Sequence, residues 1–167
     1  GYEPFYVDVP EWKRTKLGVF GELHDLTESL KKVRFDVFYQ KNDKTMNNHV
    51  EVINSPVVVD NYADNSLDQY GFSLQTNWSV SDSTFIVAGY EFNNDDLDAQ
   101  SHVHTVCDTP AMPTMPSMHI DTEKQGFFKG AMTTHALFAS AETNLVDTVT
   151  LSYGARYTYV KTDMDDI

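Results

Sequence analysis

The sequence predicts an all-β fold: an antiparallel up-and-down sheet of about six strands in three hairpins, forming part of a transmembrane β-barrel. Three observations predict it. Apolar and polar residues alternate with a period of two in four well-marked segments. No segment carries a convincing helical period. Short turns alternate along the chain with long polar connections, as in barrels that cross an outer membrane.

The strands follow in order. Lys13–His24 is a weak candidate, with Leu17, Val19 and Leu23 on one face. In Lys31–Asn42, Val33, Phe35, Val37 and Tyr39 alternate with Arg34, Asp36, Phe38 and Gln40. In Asp68–Val80, Tyr70, Phe72, Leu74, Thr76 and Trp78 alternate with Gly71, Ser73, Gln75, Asn77 and Ser79. Ile86, Ala88, Tyr90 and Phe92 form the fourth, and roughly Ala131–Thr143 the fifth. The sixth spans Thr148–Lys161, with Val149, Leu151, Tyr153, Ala155, Tyr157 and Tyr159 on its apolar side. Asp25–Leu30 has room for a helical turn at most.

Strands three and four are joined by Ser81-Asp82-Ser83, and five and six by Asn144-Leu145-Val146-Asp147. Between the hairpins the pattern predicts long polar loops over about 43–67 and 93–129. Each apolar alternation lasts roughly 9–13 residues, near the length a tilted strand needs to cross a bilayer. Aromatic residues gather at strand ends: Trp78 near a short turn, and Tyr90, Phe92, Tyr157 and Tyr159 toward the long connections. A soluble β-sandwich alternates in the same way and is the competing architecture.

Charge and composition narrow the class. The chain has 167 residues and a net charge of −13, which argues against a nucleic-acid partner. From Thr45 through Glu123 it has no Lys or Arg and twelve carboxylates, whereas residues 11–41 hold seven of the twelve basic residues. Such segregation predicts surfaces that face different environments. Cys107 is the single cysteine, so no intrachain disulfide framework exists. No run of 18 apolar residues is present for a membrane-crossing helix, and no signal peptide is visible. An aromatic content of 13% is too high for a disordered acidic tail.

One strand is also familiar as a motif. Thr148-Val149-Thr150-Leu151-Ser152-Tyr153-Gly154-Ala155-Arg156-Tyr157 resembles a strand that recurs in TonB-dependent outer-membrane receptors, where a hairpin like Phe138–Leu145 precedes it. Lys16–Phe20 and Phe35–Gln40 are similar to barrel strands of the haem, siderophore and colicin receptor branch. The resemblance covers roughly 13–161. It implies a bacterial outer-membrane location with extracellular long loops, a 22-stranded parent barrel, and contact with outer-membrane lipid. It also implies transport of an iron-containing ligand (haem or a ferric siderophore) driven through the TonB complex, with no catalysis and no resident cofactor. The family's plug domain, energy-coupling box and aromatic-ending last strand have no counterpart here. Six strands are fewer than the eight of the smallest bacterial barrels, so 1–167 reads as an internal piece of a barrel domain.

Ligand chemistry falls on the 93–129 stretch. His102-Val103-His104 places both imidazoles on one face if extended. Met112, Met115 and Met118 recur every third residue among prolines, and would align along one edge of a polyproline helix. With His119 they form a candidate soft-ligand set for haem iron, copper or zinc. A hydrated loop with no site is the plainer alternative. Asp95, Asp96 and Asp98 open like a calcium loop, but Ala99 replaces the required glycine and Thr105 the closing glutamate. Arg156 is expected to face a hydrated lumen, paired with Glu142 or Glu91 or contacting a plug. Asn77-Trp78-Ser79 is a sequon inside a strand, and no nucleophile, zinc-protease or phosphate-loop motif occurs. A soluble extracellular or periplasmic β-domain binding metal through the His/Met-rich stretch is the rival function. A passive porin-like barrel is the third.

Overall fold

A computed structural model describes residues 5–52, 55–111 and 116–166. Six strands run in chain order within one sheet: β1 (Phe5–His24), β2 (Leu30–Glu51), β3 (Val57–Ser81), β4 (Thr84–Thr109), β5 (Met118–Val146) and β6 (Val149–Asp166). Every neighbour is antiparallel. The all-β, up-and-down arrangement expected from the alternation is present, and no helix occurs among the described residues. Residues 26–29 are bends, and the turn is closed by Asp25 N–H donating to the Lys31 carbonyl at 2.8 Å. Asp25 adopts φ 50°, a left-handed value that a short polar side chain tolerates.

The two long loops expected over 43–67 and 93–129 are corrected. Both regions are mostly strand: β2 runs to Glu51, β3 starts at Val57, β4 runs to Thr109 and β5 starts at Met118. The contrast there is reversed, with Leu67, Leu97, Ala99, Val103 and Cys107 on the face opposite to that of the band, so the pattern of the band does not continue into these stretches. Cross-strand pairing holds them extended instead. Gln40 Nε2 donates to Gln69 Oε1 and Gln69 Nε2 to Asp95 Oδ1, each at 2.8 Å, while Ser66 Oγ donates to Asp43 Oδ1 at 2.7 Å. Such side-chain pairs are the unit of sheet stabilisation.

Register assigns every side chain to one of two faces, because alternate residues point oppositely and paired residues point alike. On one face Val37, Phe72, Phe92 and His135 follow one another from β2 to β5, paired strand to strand. Phe35, Leu74, Tyr90, Leu137 and Tyr157 form the next row. These rows belong to an apolar band from Trp78 to Tyr70 on β3 and from Val149 to Tyr159 on β6. The eight residue steps from Trp78 to Tyr70 give roughly 26 Å along the strand. One edge of the band carries a contiguous ring cluster in which Tyr70, Phe92, His135 and Tyr159 are linked at centroid separations of 5.2–6.3 Å. Beyond it the same face turns charged, with Lys41, Asp43, Asp64, Asp68, Asp96 and Asp98.

The opposite face is polar. Lys32, Arg34, Gln75, Glu91 and Arg156 occupy it, with Phe20, Phe38 and Phe138 among its ring side chains at band level. Phe38 and Phe138 cover glycines: a Cβ on Gly71 would run into the Phe38 ring, and one on Gly89 into the Phe138 ring. Glycine is required there because ring and neighbouring backbone already fill the space.

Among the described residues no second layer packs on either face, and Ala136 and Ala141 are the buried hydrophobic residues and Asn94 the buried polar one. Tyr70, Phe72, Leu74, Val149, Leu151 and Tyr153, which a sandwich would enclose, are 42–56% exposed. β1 and β6 form the two edges of the sheet.

Candidate ligand-binding surface

Of the predicted ligand residues that are described, His102, His104 and His119 share one face and Met118 lies on the other. His102 and His104 do share a face, because their segment is extended as the spacing required. That segment is strand β4, not a loop, and the face is the one that carries the apolar band lower down. His119 on β5 lies on the same face, paired with Asp108. Met118, adjacent in sequence, therefore points to the polar face. Met112 and Met115 lie outside the described residues. The polyproline-like alignment of the three methionines is not tested, but its last member opens β5.

Each histidine at this end has a carboxylate neighbour. His104 Nε2 is 2.8 Å from Asp121 Oδ1, His119 Nδ1 2.5 Å from Asp108 Oδ1, and His102 Nε2 4.0 Å from Glu123 Oε1. His49 on β2 belongs to the same tier: its Nδ1 is 2.6 Å from Asp60 Oδ1, its Nε2 3.4 Å from Glu51, and Tyr6 stacks on its ring at 5.2 Å. The hydrogen bond to Asp60 raises the His49 pKa above that of a free imidazole, and the bond to Asp108 raises that of His119. Among the described residues no group of three or more His, Cys, Asp or Glu side chains is arranged to hold a metal ion.

The calcium-loop candidates separate by parity. Asp96 and Asp98 lie on the banded face and Asp95 on the polar face, all within strand β4. Asp95 accepts from Gln69, Asp96 accepts from Asn94 Nδ2 at 2.8 Å, and Asp98 is 3.2 Å from Lys129 Nζ. On the banded face a groove of about 640 Å³ includes Glu11, Lys13, Lys41, Asp43, Asp64 and Asp68. Its two signs alternate, as on a solvated wall.

The polar face carries the more ordered chemistry. Arg34 bridges Glu22 and Asp36, Lys32 Nζ lies 2.7 Å from Glu22, and Arg156 pairs with Glu91, one of the two partners expected for it. Arg156 also stacks on Phe138, and Arg34 on Phe20. Above this ladder, Leu67, Leu97, Phe128, Met132 and Met164 line an apolar cavity of about 280 Å³. Register puts the described sulfur side chains Met46, Cys107, Met118, Met132 and Met164 all on this face.

The sequence reading missed Arg14, Lys16 and Lys44, which cluster on the polar face of β1 and β2. The basic excess of residues 11–41 and the one-residue gap between Arg14 and Lys16 were the available signals.

Fold and surface together define the class: one amphipathic antiparallel sheet, banded on one face and hydrated on the other. Comparison with solved structures includes a chain described as "Copper transporter OprC", at 17% identity and TM-score 0.49, matching 95% of this chain. The present chain spans 28% of that one. No protein-family model and no curated protein matches the sequence.

Proposed function

We propose that the chain is part of the barrel of a TonB-dependent outer-membrane receptor that imports a metal-bearing ligand. The observation that carries this is the banded sheet without a core. An exposed apolar belt of membrane height, edged by rings and backed by a polar face, is stable when lipid covers it and water fills the other side. The receptor-like motif at 148–157 supports the family. In this reading the banded face is the outer wall and the polar face the lumen. The strand ends beyond the ring cluster project outside the cell: β4 continues 17 residues past Phe92, about 56 Å along the strand. The chain is a partial barrel domain whose edges, β1 and β6, pair with further strands. The ligand is haem or a ferric siderophore, held from the lumen face, and TonB engages parts of the receptor outside this segment.

A second reading of the cargo, a soft metal ion such as copper, is favoured by the five sulfur side chains on the lumen face. Binding of metal by a soluble domain through His102, His104, Met118 and His119 has less support, since these residues divide between faces.

The test is topology in whole cells. In a Cys107→Ser background of the full-length gene product, Ser117→Cys should react with a membrane-impermeant maleimide in intact cells. Asp82→Cys, in the short β3–β4 turn, should react only after permeabilisation. Equal labelling of both, or recovery of the protein in the soluble fraction, defeats the reading. TonB-dependent growth on haem or a ferric siderophore, against copper sensitivity, then separates the two cargoes.

A further inference from the structure

We propose that Arg14, Lys16 and Lys44 form a binding site on the polar face for a multiply charged anion, the carboxylate- or phosphate-bearing part of the ligand. This rests on the receptor reading for its place in the lumen, and it deepens that reading by naming the substrate class.

The three cations sit in successive rows. Lys16 pairs with Gln40, Arg14 with Asn42, and Lys44 with Trp12. Rows two residues apart on one face are separated by about 6.6 Å, so one multidentate anion reaches all three. What distinguishes them is the partners they have. Arg14 Nη2 donates to the neutral amide oxygen of Gln40 at 2.5 Å. The Lys16 ammonium lies 5.5 Å from the Phe38 ring centre, and the Lys44 ammonium 5.8 Å from that of Trp12. Lower on the same face, Lys32, Arg34 and Arg156 all meet carboxylates.

Carboxylates are close in sequence but turned away. Glu11 and Asp43 alternate with these positions and so point to the other face, where Lys13 and Lys41 meet them. Asp95, across the sheet, already accepts from Gln69. In a chain of net charge −13, three neighbouring cations without a carboxylate partner make a local positive field. The rings hold the ammonium groups weakly enough to release them: exposed cation–π contacts are worth less than hydrogen bonds between ions. The guanidinium adds a planar fork that matches a carboxylate or phosphate. A bare metal cation would find this corner repulsive, whereas an anionic chelate would find it complementary.

The experiment is calorimetric titration of the detergent-solubilised full-length protein with citrate and with inorganic pyrophosphate. It is paired with Trp12 emission in a Trp78→Phe background, where Trp12 is the one tryptophan left in this segment. Saturable binding of at least one anion is expected, with a change in Trp12 emission as Lys44 leaves the ring. Each of Arg14→Gln and Lys16→Gln should weaken it about tenfold or more, and the triple variant with Lys44→Gln should abolish it. Lys129→Gln with Lys161→Gln, on the banded face, should leave it unchanged. Lys16→Arg should retain it.

Absence of saturable binding overturns the proposal, as does an unchanged midpoint in the triple variant. Equal weakening by the Lys129/Lys161 pair overturns it too, since net charge alone would then be responsible. Heat-modifiable gel migration identifies any variant that has not folded, and in that case the Arg14→Gln and Lys16→Gln single variants decide. Failure here with correct maleimide topology removes the anion site alone. Failure of the topology test removes the receptor reading, while a measured anion site would still stand.

Discussion

Replacing Leu74 by arginine tests the lipid-facing assignment. Leu74 is four residues from Tyr70 and four from Trp78, the ring-bearing limits of the band on β3. At about 3.3 Å per residue and a tilt near 40°, it lies roughly 10 Å from each limit, at the middle of the band. Its cross-strand neighbours, Phe35 and Tyr90, are apolar and it is 42% exposed in the sheet, so in the proposed barrel it faces lipid. Arginine at the midplane of a membrane barrel costs about 2–4 kcal/mol, and near the interface about 0–1 kcal/mol. Leu74→Arg should therefore destabilise the vesicle-inserted protein by about 2–4 kcal/mol. Thr45→Arg, on the same face but six residues beyond Tyr39, should cost less than about 1 kcal/mol, and Ser73→Arg on the polar face as little. Guanidinium unfolding in vesicles, read by tryptophan emission, gives the three values. Equal costs for Leu74→Arg and Ser73→Arg would refute the assignment of faces.

Two further outcomes follow from the same geometry. His49 and His119 have raised pKa values because Asp60 and Asp108 accept their hydrogen bonds, so each pair stabilises the strand ends fully below the unfolded value of about 6.5. That contribution is lost as pH rises through the folded value, and Asp60→Asn and Asp108→Asn should each lower the corresponding imidazole titration seen by NMR. Gly89→Val should cost about 1–3 kcal/mol by driving Phe138 and the Leu74 carbonyl away, whereas Gly18→Ala, whose new methyl would meet only ordinary contacts, should be neutral or slightly stabilising in the same unfolding assay.

The pattern over 68–80 was legible because the residues of its two faces differ sharply in polarity. Both the strand and its apolar face could be read from the order of residues alone. The stretch 93–109 does not continue that pattern: its apolar side chains Leu97, Ala99, Val103 and Cys107 share the face of Asp95 and Ser101, opposite the band, while Asp98, His102 and His104 take the banded side. Its extended conformation is held by partners on other strands, such as Glu123 opposite His104 and Asp121 hydrogen-bonded to it, which no local period reveals. The candidate site was affected most. A loop reading let His102, His104, Met118 and His119 gather around one ligand, whereas in the strands Met118 and His119 are adjacent and point opposite ways.

By itself the sequence determined the fold class, the number of strands, their antiparallel order and the composition of the two faces in the apolar band. A period of two with hydrophobic contrast leaves little choice once short turns force neighbours to pair. Only the tertiary structure decided how far the strands continue and which distant residues share a row. It thereby set Arg14, Lys16 and Lys44 apart from Glu11 and Asp43, and aligned the sulfur side chains of four strands on one face. The physical reason is register: a shift of one residue between two strands reverses every pairing of faces, and the backbone ladder that fixes it is not written in any single segment.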